Sequence, residues 1–108
     1  MSEIITAKQL SQQIFENNAY RVIDIRDGDA YAGGHIPGAL HIPFLRLEYK
    51  PGFVPEDLPV VIYAGEGAEE QAASETAAEI LREQGIDASV LEGGLPAWIA
   101  NGYPVEYE

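Results

Sequence analysis

Side chains able to carry chemistry are few in this sequence, and they gather in one stretch. Gly65-Glu66-Gly67-Ala68-Glu69-Glu70-Gln71-Ala72-Ala73 holds three carboxylates and no base, and Ser74 follows it. Carboxylates suit a hard cation such as Ca²⁺ or Mg²⁺, but Glu66, Glu69 and Glu70 lack the alternating spacing of a calcium loop, so no metal is expected. Ser74 is the hydroxyl nearest this stretch besides Tyr63 and Thr76, and a serine needs an adjacent general base to attack at neutral pH. His35 and His41 are the only histidines, and nothing in their spacing puts either beside Ser74. A lone hydroxyl near a helix start is expected to cap or pack. His35 is expected to hydrogen-bond within its turn, and Asp24 and Arg26 to hold neighbouring loops. The chain has no cysteine, which removes disulfides, thiolate metal sites and thiol redox chemistry. No cofactor is expected.

The elements that must position these groups can be read from periodicity. Thr6 and Gln9 form a capping box, and Leu10 and Ile14 give an apolar stripe, which predicts a helix from Ala7 to Glu16. Val22-Ile23-Asp24-Ile25 and Val60-Val61-Ile62-Tyr63 read as strands buried on both faces, and Ala88-Ser89-Val90-Leu91 as a weaker third. Between the last two, Ala73, Ala77, Ile80 and Leu81 share one helical face while Glu75, Glu79 and Glu83 line another, with Gly85 at the carboxyl cap. Pro96 fits the first turn of a last helix holding Ala97, Trp98 and Ile99, which Asn101-Gly102 ends. Strands alternating with helices predict an α/β fold: a small, mainly parallel sheet with helices on both faces.

A length of 108 residues with 46% apolar content matches one globular domain spanning 1–108. Eighteen acidic against six basic side chains give a formal charge of −12, which opposes binding to nucleic acid phosphates or anionic lipid. Basic partners are favoured instead. Met1-Ser2-Glu3-Ile4-Ile5-Thr6 has no basic, then apolar, leader pattern, and no apolar run approaches the length of a membrane span. The expectation is a soluble, cytoplasmic protein. Phe44, Leu45, Leu47, Tyr49 and Phe53 lie between His41 and Pro55 and are expected to pack half-buried under a loop. They are the only source of an exposed apolar stripe, which leaves monomer or weak dimer open.

Two ordered motifs then point to a family. Val22-Ile23-Asp24-Ile25-Arg26, Tyr31, Gly34-His35-Ile36-Pro37-Gly38-Ala39 and Ile42-Pro43 resemble the amino-terminal signature of rhodanese-like domains. Leu91-Glu92-Gly93-Gly94-Leu95-Pro96-Ala97-Trp98, with Gly102 and Pro104-Val105, resembles their carboxy-terminal signature. In their plain structural reading, Gly34, Gly38, Gly93 and Gly94 permit tight turns, Pro37 and Pro43 restrict the backbone, and Trp98 anchors the core. The resemblance likewise implies an architectural role for Asp24 and Arg26.

Ligands of open α/β sheets bind beyond the carboxyl ends of the strands, so the loop after Tyr63 is the expected site. The resemblance agrees, and implies a cysteine directly after that strand, in a loop of inward N–H groups at a helix start. Such a setting lowers a thiol's pKa and holds a persulfide or thiosulfate anion. The matching residue is Ala64. Aligning Ser74, Ala77, Ala78 and Leu81 with the family's helix leaves about four residues more than the short family loop, and the arginine many members carry is replaced by glutamates. Two negative charges roughly 6 Å apart repel by about 3 kcal/mol at an effective dielectric of 20, so anion capture is disfavoured. Two alternatives stay open: a lengthened loop, or a short loop whose helix begins earlier, with Glu69 and Glu70 in its first turn favoured by the macrodipole.

The expected function is a catalytically inactive rhodanese-like module that binds a basic partner. Its surface would run from Glu66 to Glu92, with Glu66, Glu69, Glu70, Glu75, Glu79, Glu83, Asp87 and Glu92 against Arg82 alone. The alternatives are a sulfurtransferase in which Ala64 replaces a native cysteine, or an enzyme using another nucleophile.

Overall fold

Short β-branched runs bounded by turns form the sheet of this computed structural model, which describes residues 4–16, 20–50, 52, 54 and 57–108. In chain order the elements are β1 (Ile4–Ile5), α1 (Ala7–Glu16), β2 (Arg21–Asp24), α2 (Gly28–Ala32), β3 (Leu40–His41), α3 (Phe44–Tyr49), β4 (Val60–Tyr63), α4 (Ala68–Glu83), β5 (Ala88–Leu91) and α5 (Gly94–Ala100). The five strands lie in the order β1-β5-β4-β2-β3, and every pair is parallel. Parallel neighbours require crossovers, which is why helices alternate with strands.

Successive side chains on a strand point to opposite faces, so each central strand feeds two cores. Ile23, Ile25, Val60, Ile62, Ala64, Ala88 and Val90 pack with Leu47 of α3 and Ala77, Ala78 and Leu81 of α4. Val22, Val61, Tyr63 and Leu91 pack on the other face with Ala7 and Leu10 of α1 and Leu95 and Trp98 of α5. The predicted α/β architecture, with a parallel sheet covered on both faces, is the one observed.

Local signals account for several boundaries. The Thr6 N–H donates to Gln9 Oε1 at 3.0 Å and the Gln9 N–H to Thr6 Oγ1 at 3.1 Å, the reciprocal pair of a capping box. Asp27 Oδ1 accepts from the Ala30 N–H at 2.8 Å and starts α2. Gly85, at φ +86°, turns the chain out of α4.

The segment after His41 departs from its expectation. It folds into the one-and-a-half-turn helix α3 rather than a loop cover, with Leu47 fully buried and Leu45 and Tyr49 73% and 87% exposed. Phe53 and Pro55 lie outside the described residues. No helix among the described residues is long and apolar enough to cross a membrane.

Candidate functional site

The carboxyl ends of β2, β4 and β5 open on the same edge of the sheet, where three connections meet: Ile25-Arg26, Ala64-Gly65-Glu66-Gly67 and Glu92-Gly93. Four residues separate β4 from α4. The additional residues therefore lengthen the helix by about one turn, and the loop after Tyr63 is short. Gly67 is the residue before α4 and adopts φ +103°, a backbone region that favours glycine. Glu69 and Glu70 occupy the first turn of the helix, where the N–H ends favour negative charge.

Ala64, which stands where the family nucleophile is expected, is 3% exposed and packs into the core shared with α3 and α4. Its carbonyl accepts from the Leu95 N–H at 3.0 Å, which ties the amino end of α5 to this loop. Close approach there requires Gly94. At φ +61°, a Cβ on Gly94 would lie 2.7 Å from both the Ala64 and Gly65 carbonyl oxygens. Gly93, also left-handed at φ +76°, would meet the Ala97 Cβ at 2.8 Å.

The Gly65 N–H points at a carboxylate of the same chain. It donates to Glu70 Oε1 at 3.0 Å, and a Cβ on Gly65 would stand 2.9 Å from that oxygen and 3.7 Å from Arg26 Cδ. Ser74 is buried, and its hydroxyl donates to the Glu70 carbonyl at 3.1 Å. This is the packing and back-bonding role of a helical serine, and it leaves the hydroxyl no general base as partner. Glu66, Ala68 and Glu69 are exposed, and Gln71 donates its N–H to the Gly67 carbonyl at 3.0 Å.

Behind the loop lies a buried polar cluster. Asp24 is fully buried and is the cross-strand neighbour of Tyr63. Its Oδ1 accepts from the Arg26 backbone N–H at 2.9 Å and from Arg26 Nε at 3.0 Å, and its Oδ2 from Arg26 Nη2 at 2.6 Å. Nη2 also donates to the Gly34 carbonyl at 2.6 Å. Burial works against the Arg26 charge, but the hydrogen bonds and negative charge of Asp24 outweigh it and hold the guanidinium above its ordinary value. Burial, followed by the neighbouring Asp24 carboxylate, pushes the Tyr63 phenol far above the usual tyrosine range. Tyr63 therefore stays neutral, accepting from the Ile36 N–H at 3.0 Å.

The remaining motif residues act within turns. His35 is buried; its Nδ1 lies 2.8 Å from the Tyr31 carbonyl, so that nitrogen carries the proton. Tyr31 stacks on both imidazoles, at 3.8 Å from His35 and 4.5 Å from His41 between ring centres. His41 Nε2 lies 2.8 Å from the Arg26 carbonyl. Gly38, at φ +80°, donates its N–H to Glu106 Oε1 at 3.1 Å. Trp98 is fully buried and donates Nε1–H to the Pro104 carbonyl at 2.7 Å. Among the described residues no three histidine or carboxylate side chains converge as a metal centre would require.

Of the expected site residues, the structure brings together Ala64, Gly65, Glu70, Arg26 and Gly94, and it turns Glu66 and Glu69 outward. The contact between Gly65 and Glu70 was not foreseen. A Gly followed by Glu five residues on, across a predicted helix start, is the signal that could have suggested it.

Comparison with known proteins agrees with this fold. The family model of the rhodanese-like domain matches residues 6–101. A thiosulfate sulfurtransferase, GlpE, of Shewanella oneidensis is 36% identical over 87 residues, covering 80% of this chain and 82% of that protein. A sulfurtransferase of Allochromatium vinosum is 33% identical over 102 residues, covering 94% and 92%. Among solved structures, a rhodanese-related protein of Thermoplasma volcanium superposes with a TM-score of 0.87 at 29% identity, over 98% of this chain and 99% of that one. With both motifs, the strand order and these likenesses in agreement, the chain belongs to the rhodanese-like family, and it does so without a cysteine.

Proposed function

We propose that this chain is a rhodanese-like domain without sulfurtransferase turnover, which works by binding. The observation that supports it best is the Glu70 carboxylate on the Gly65 N–H beside Ala64. A negative charge of the chain itself takes the place where an anionic sulfur donor would be held, and a methyl group stands at the nucleophile's position. A thiosulfate ion entering here would meet like charge in a partly buried loop, and Ala64 has no atom able to accept sulfur.

The binding surface in this reading is the outer face of α4 and the loop before it, and the partner is a basic protein. Glu66, Glu69, Glu75, Glu79 and Glu83 are exposed there, and Asp87 lies just beyond. Long-range attraction from a chain of charge −12 would speed encounter with a basic partner and weaken as salt rises.

The relatives named as sulfurtransferases supply the competing reading, in which Ala64 replaces a native cysteine. Incubation with thiosulfate and cyanide separates the two. The chain as it stands is expected to form no thiocyanate above the uncatalysed rate, and clear turnover would overturn the proposal. Ala64→Cys alone is expected to remain poor. Ala64→Cys with Glu70→Ala is expected to accept sulfur about tenfold faster than Ala64→Cys, the ratio for roughly 1.4 kcal/mol of relieved repulsion. Full activity in the single variant would favour the sulfurtransferase reading. For binding, a lysine-rich peptide should associate at low salt and lose affinity when Glu75 and Glu79 become Lys.

A further inference from the structure

We propose that Asn101-Gly102, the pair that ends α5, is a site of spontaneous covalent modification, at which Asn101 converts to aspartate and isoaspartate and thereby loosens the end of that helix. The proposal involves neither the Ala64 loop nor the acidic face of α4, so it stands apart from the binding reading.

The reaction needs no reagent but water. The backbone nitrogen of Gly102 attacks Cγ of Asn101; the N–Cγ bond forms and the Cγ–Nδ2 bond breaks. Nδ2 leaves as ammonia with the proton that the Gly102 nitrogen gives up, and a cyclic succinimide remains. Water then opens either carbonyl of the ring, which yields aspartate with the chain unaltered or isoaspartate with the chain running through Cγ. Glycine hinders this attack least, because no Cβ shields its nitrogen. Of the three asparagines only Asn101 precedes a glycine, since Asn17 is followed by Asn18 and Asn18 by Ala19. Asn101 and Gly102 are both exposed, and a Cβ built on Gly102 would have nothing within 4 Å.

The fold sets the pace of the reaction. Asn101 Nδ2 donates to the Ala97 carbonyl at 2.7 Å, which draws the carboxamide back along the helix and away from Gly102. The Gly102 N–H donates to the Ile99 carbonyl at 2.9 Å. Both reacting groups are held while the last turn is closed, so attack requires that turn to open. It ends a helix of seven residues and is exposed, so a local fluctuation opens it without global unfolding.

The product cannot close the turn in the same way. A carboxylate oxygen faces the Ala97 carbonyl where an N–H donated, and the new negative charge sits at the helix end that disfavours it. Isoaspartate also inserts a backbone atom ahead of Gly102 and Tyr103, whose N–H groups return to the Ile99 and Trp98 carbonyls at 2.9 and 3.4 Å. Tyr103 rests against the buried Trp98 at 4.9 Å between ring centres. Loosening at Asn101 is thereby passed to the indole that anchors this core.

The test is to incubate the chain at neutral pH, folded and in unfolding urea, and to follow it by anion exchange, peptide mass and isoaspartyl methyltransferase labelling. A species with one more negative charge should accumulate, with isoaspartate at position 101. Its formation in the folded chain should be roughly ten- to thirtyfold slower than in the unfolded chain, as two hydrogen bonds of ordinary net strength require. Asn101→Gln should abolish the new species. Isomerisation at Asp27-Gly28 changes no charge and is not counted by the exchange column. The purified product should unfold at lower urea than the parent, read from Trp98 fluorescence. No product in the folded chain after about one hundred half-times of the unfolded one, equal rates in the two states, persistence of the species in Asn101→Gln, or an unchanged unfolding midpoint would each overturn the proposal.

Discussion

Glu70 Oε1 lies 3.0 Å from the backbone nitrogen of Gly65 and accepts its N–H. The bond joins the first turn of α4 back to the loop that precedes it. Three local facts make it possible: a loop short enough to bring Gly65 near the helix start, a residue without a side chain at Gly65, and a carboxylate at a position where the helix end favours it. In the proposed reading, the same contact puts negative charge where a sulfur-donor anion would otherwise be held.

Glu70 is expected to contribute to stability as well as to the character of the site. Glu70→Ala removes a charge-assisted bond and a favourable first-turn charge and should cost about 1 kcal/mol, since the group is only partly buried. Glu70→Gln should recover part of the loss because its amide oxygen can still accept. Urea denaturation gives both values, and unchanged midpoints would show that the bond contributes nothing in solution.

The pairing of Asp24 with Arg26 is nearly dry, with side chains 0% and 11% exposed. Truncating one member leaves the other as an uncompensated buried charge. Asp24→Ala should destabilise the fold by about 3–5 kcal/mol. Replacing Arg26 by Met in the same background should recover a substantial part of that loss, because the stranded cation is then gone. A double variant no more stable than Asp24→Ala, measured by chemical denaturation, would argue against the pair as the source of the cost.

Tyr63 should make the fold sensitive to alkali. Its folded-state pKa is raised above the ordinary tyrosine value of about 10, so its contribution is fully present below about pH 10. Above that pH the unfolded chain releases the phenolic proton while the folded chain keeps it, and stability falls by about 1.4 kcal/mol per pH unit. Tyr63→Phe should be less stable at neutral pH by about 1–3 kcal/mol, because the Ile36 N–H loses its acceptor. Its stability should fall less steeply above pH 10, as read from denaturation midpoints across that range.

Gly94 is where α5 and the loop after β4 come closest. A Cβ there would meet two carbonyl oxygens at 2.7 Å from a left-handed backbone, so Gly94→Ala should cost at least about 2 kcal/mol. Gly38, at φ +80° with nothing within 4 Å of a built Cβ, bears only the conformational penalty. Gly38→Ala should therefore be the milder change in thermal denaturation, and equal effects would mean that the crowding is relieved by movement of the loop.

The sequence by itself determined the sheet and its principal helices. Val22-Ile23, Val60 to Tyr63 and Val90-Leu91 announce strands because burial on both faces demands uninterrupted apolar residues. Thr6 with Gln9, and Gly85, mark helix ends through backbone bonds that residue types dictate locally. The absence of cysteine determined that no thiol of this chain can carry sulfur. The elements less visible in sequence are β1, β3, α2 and α3. Strands of two residues and helices of five or six are too short for a period, and they exist because neighbouring strands and cores hold them.

Tertiary structure alone decided three matters. It placed the start of α4 at Ala68, because closing the loop onto Gly94 of α5 leaves room for only four residues between strand and helix. It showed Leu45 and Tyr49 facing outward, because α3 can turn only one side to the core and Leu47 takes it. It brought the Glu70 carboxylate onto the Gly65 N–H, a contact whose distance depends on where the helix begins. The absence of a thiol is a fact of composition, whereas the carboxylate set on the Gly65 N–H is a fact of packing.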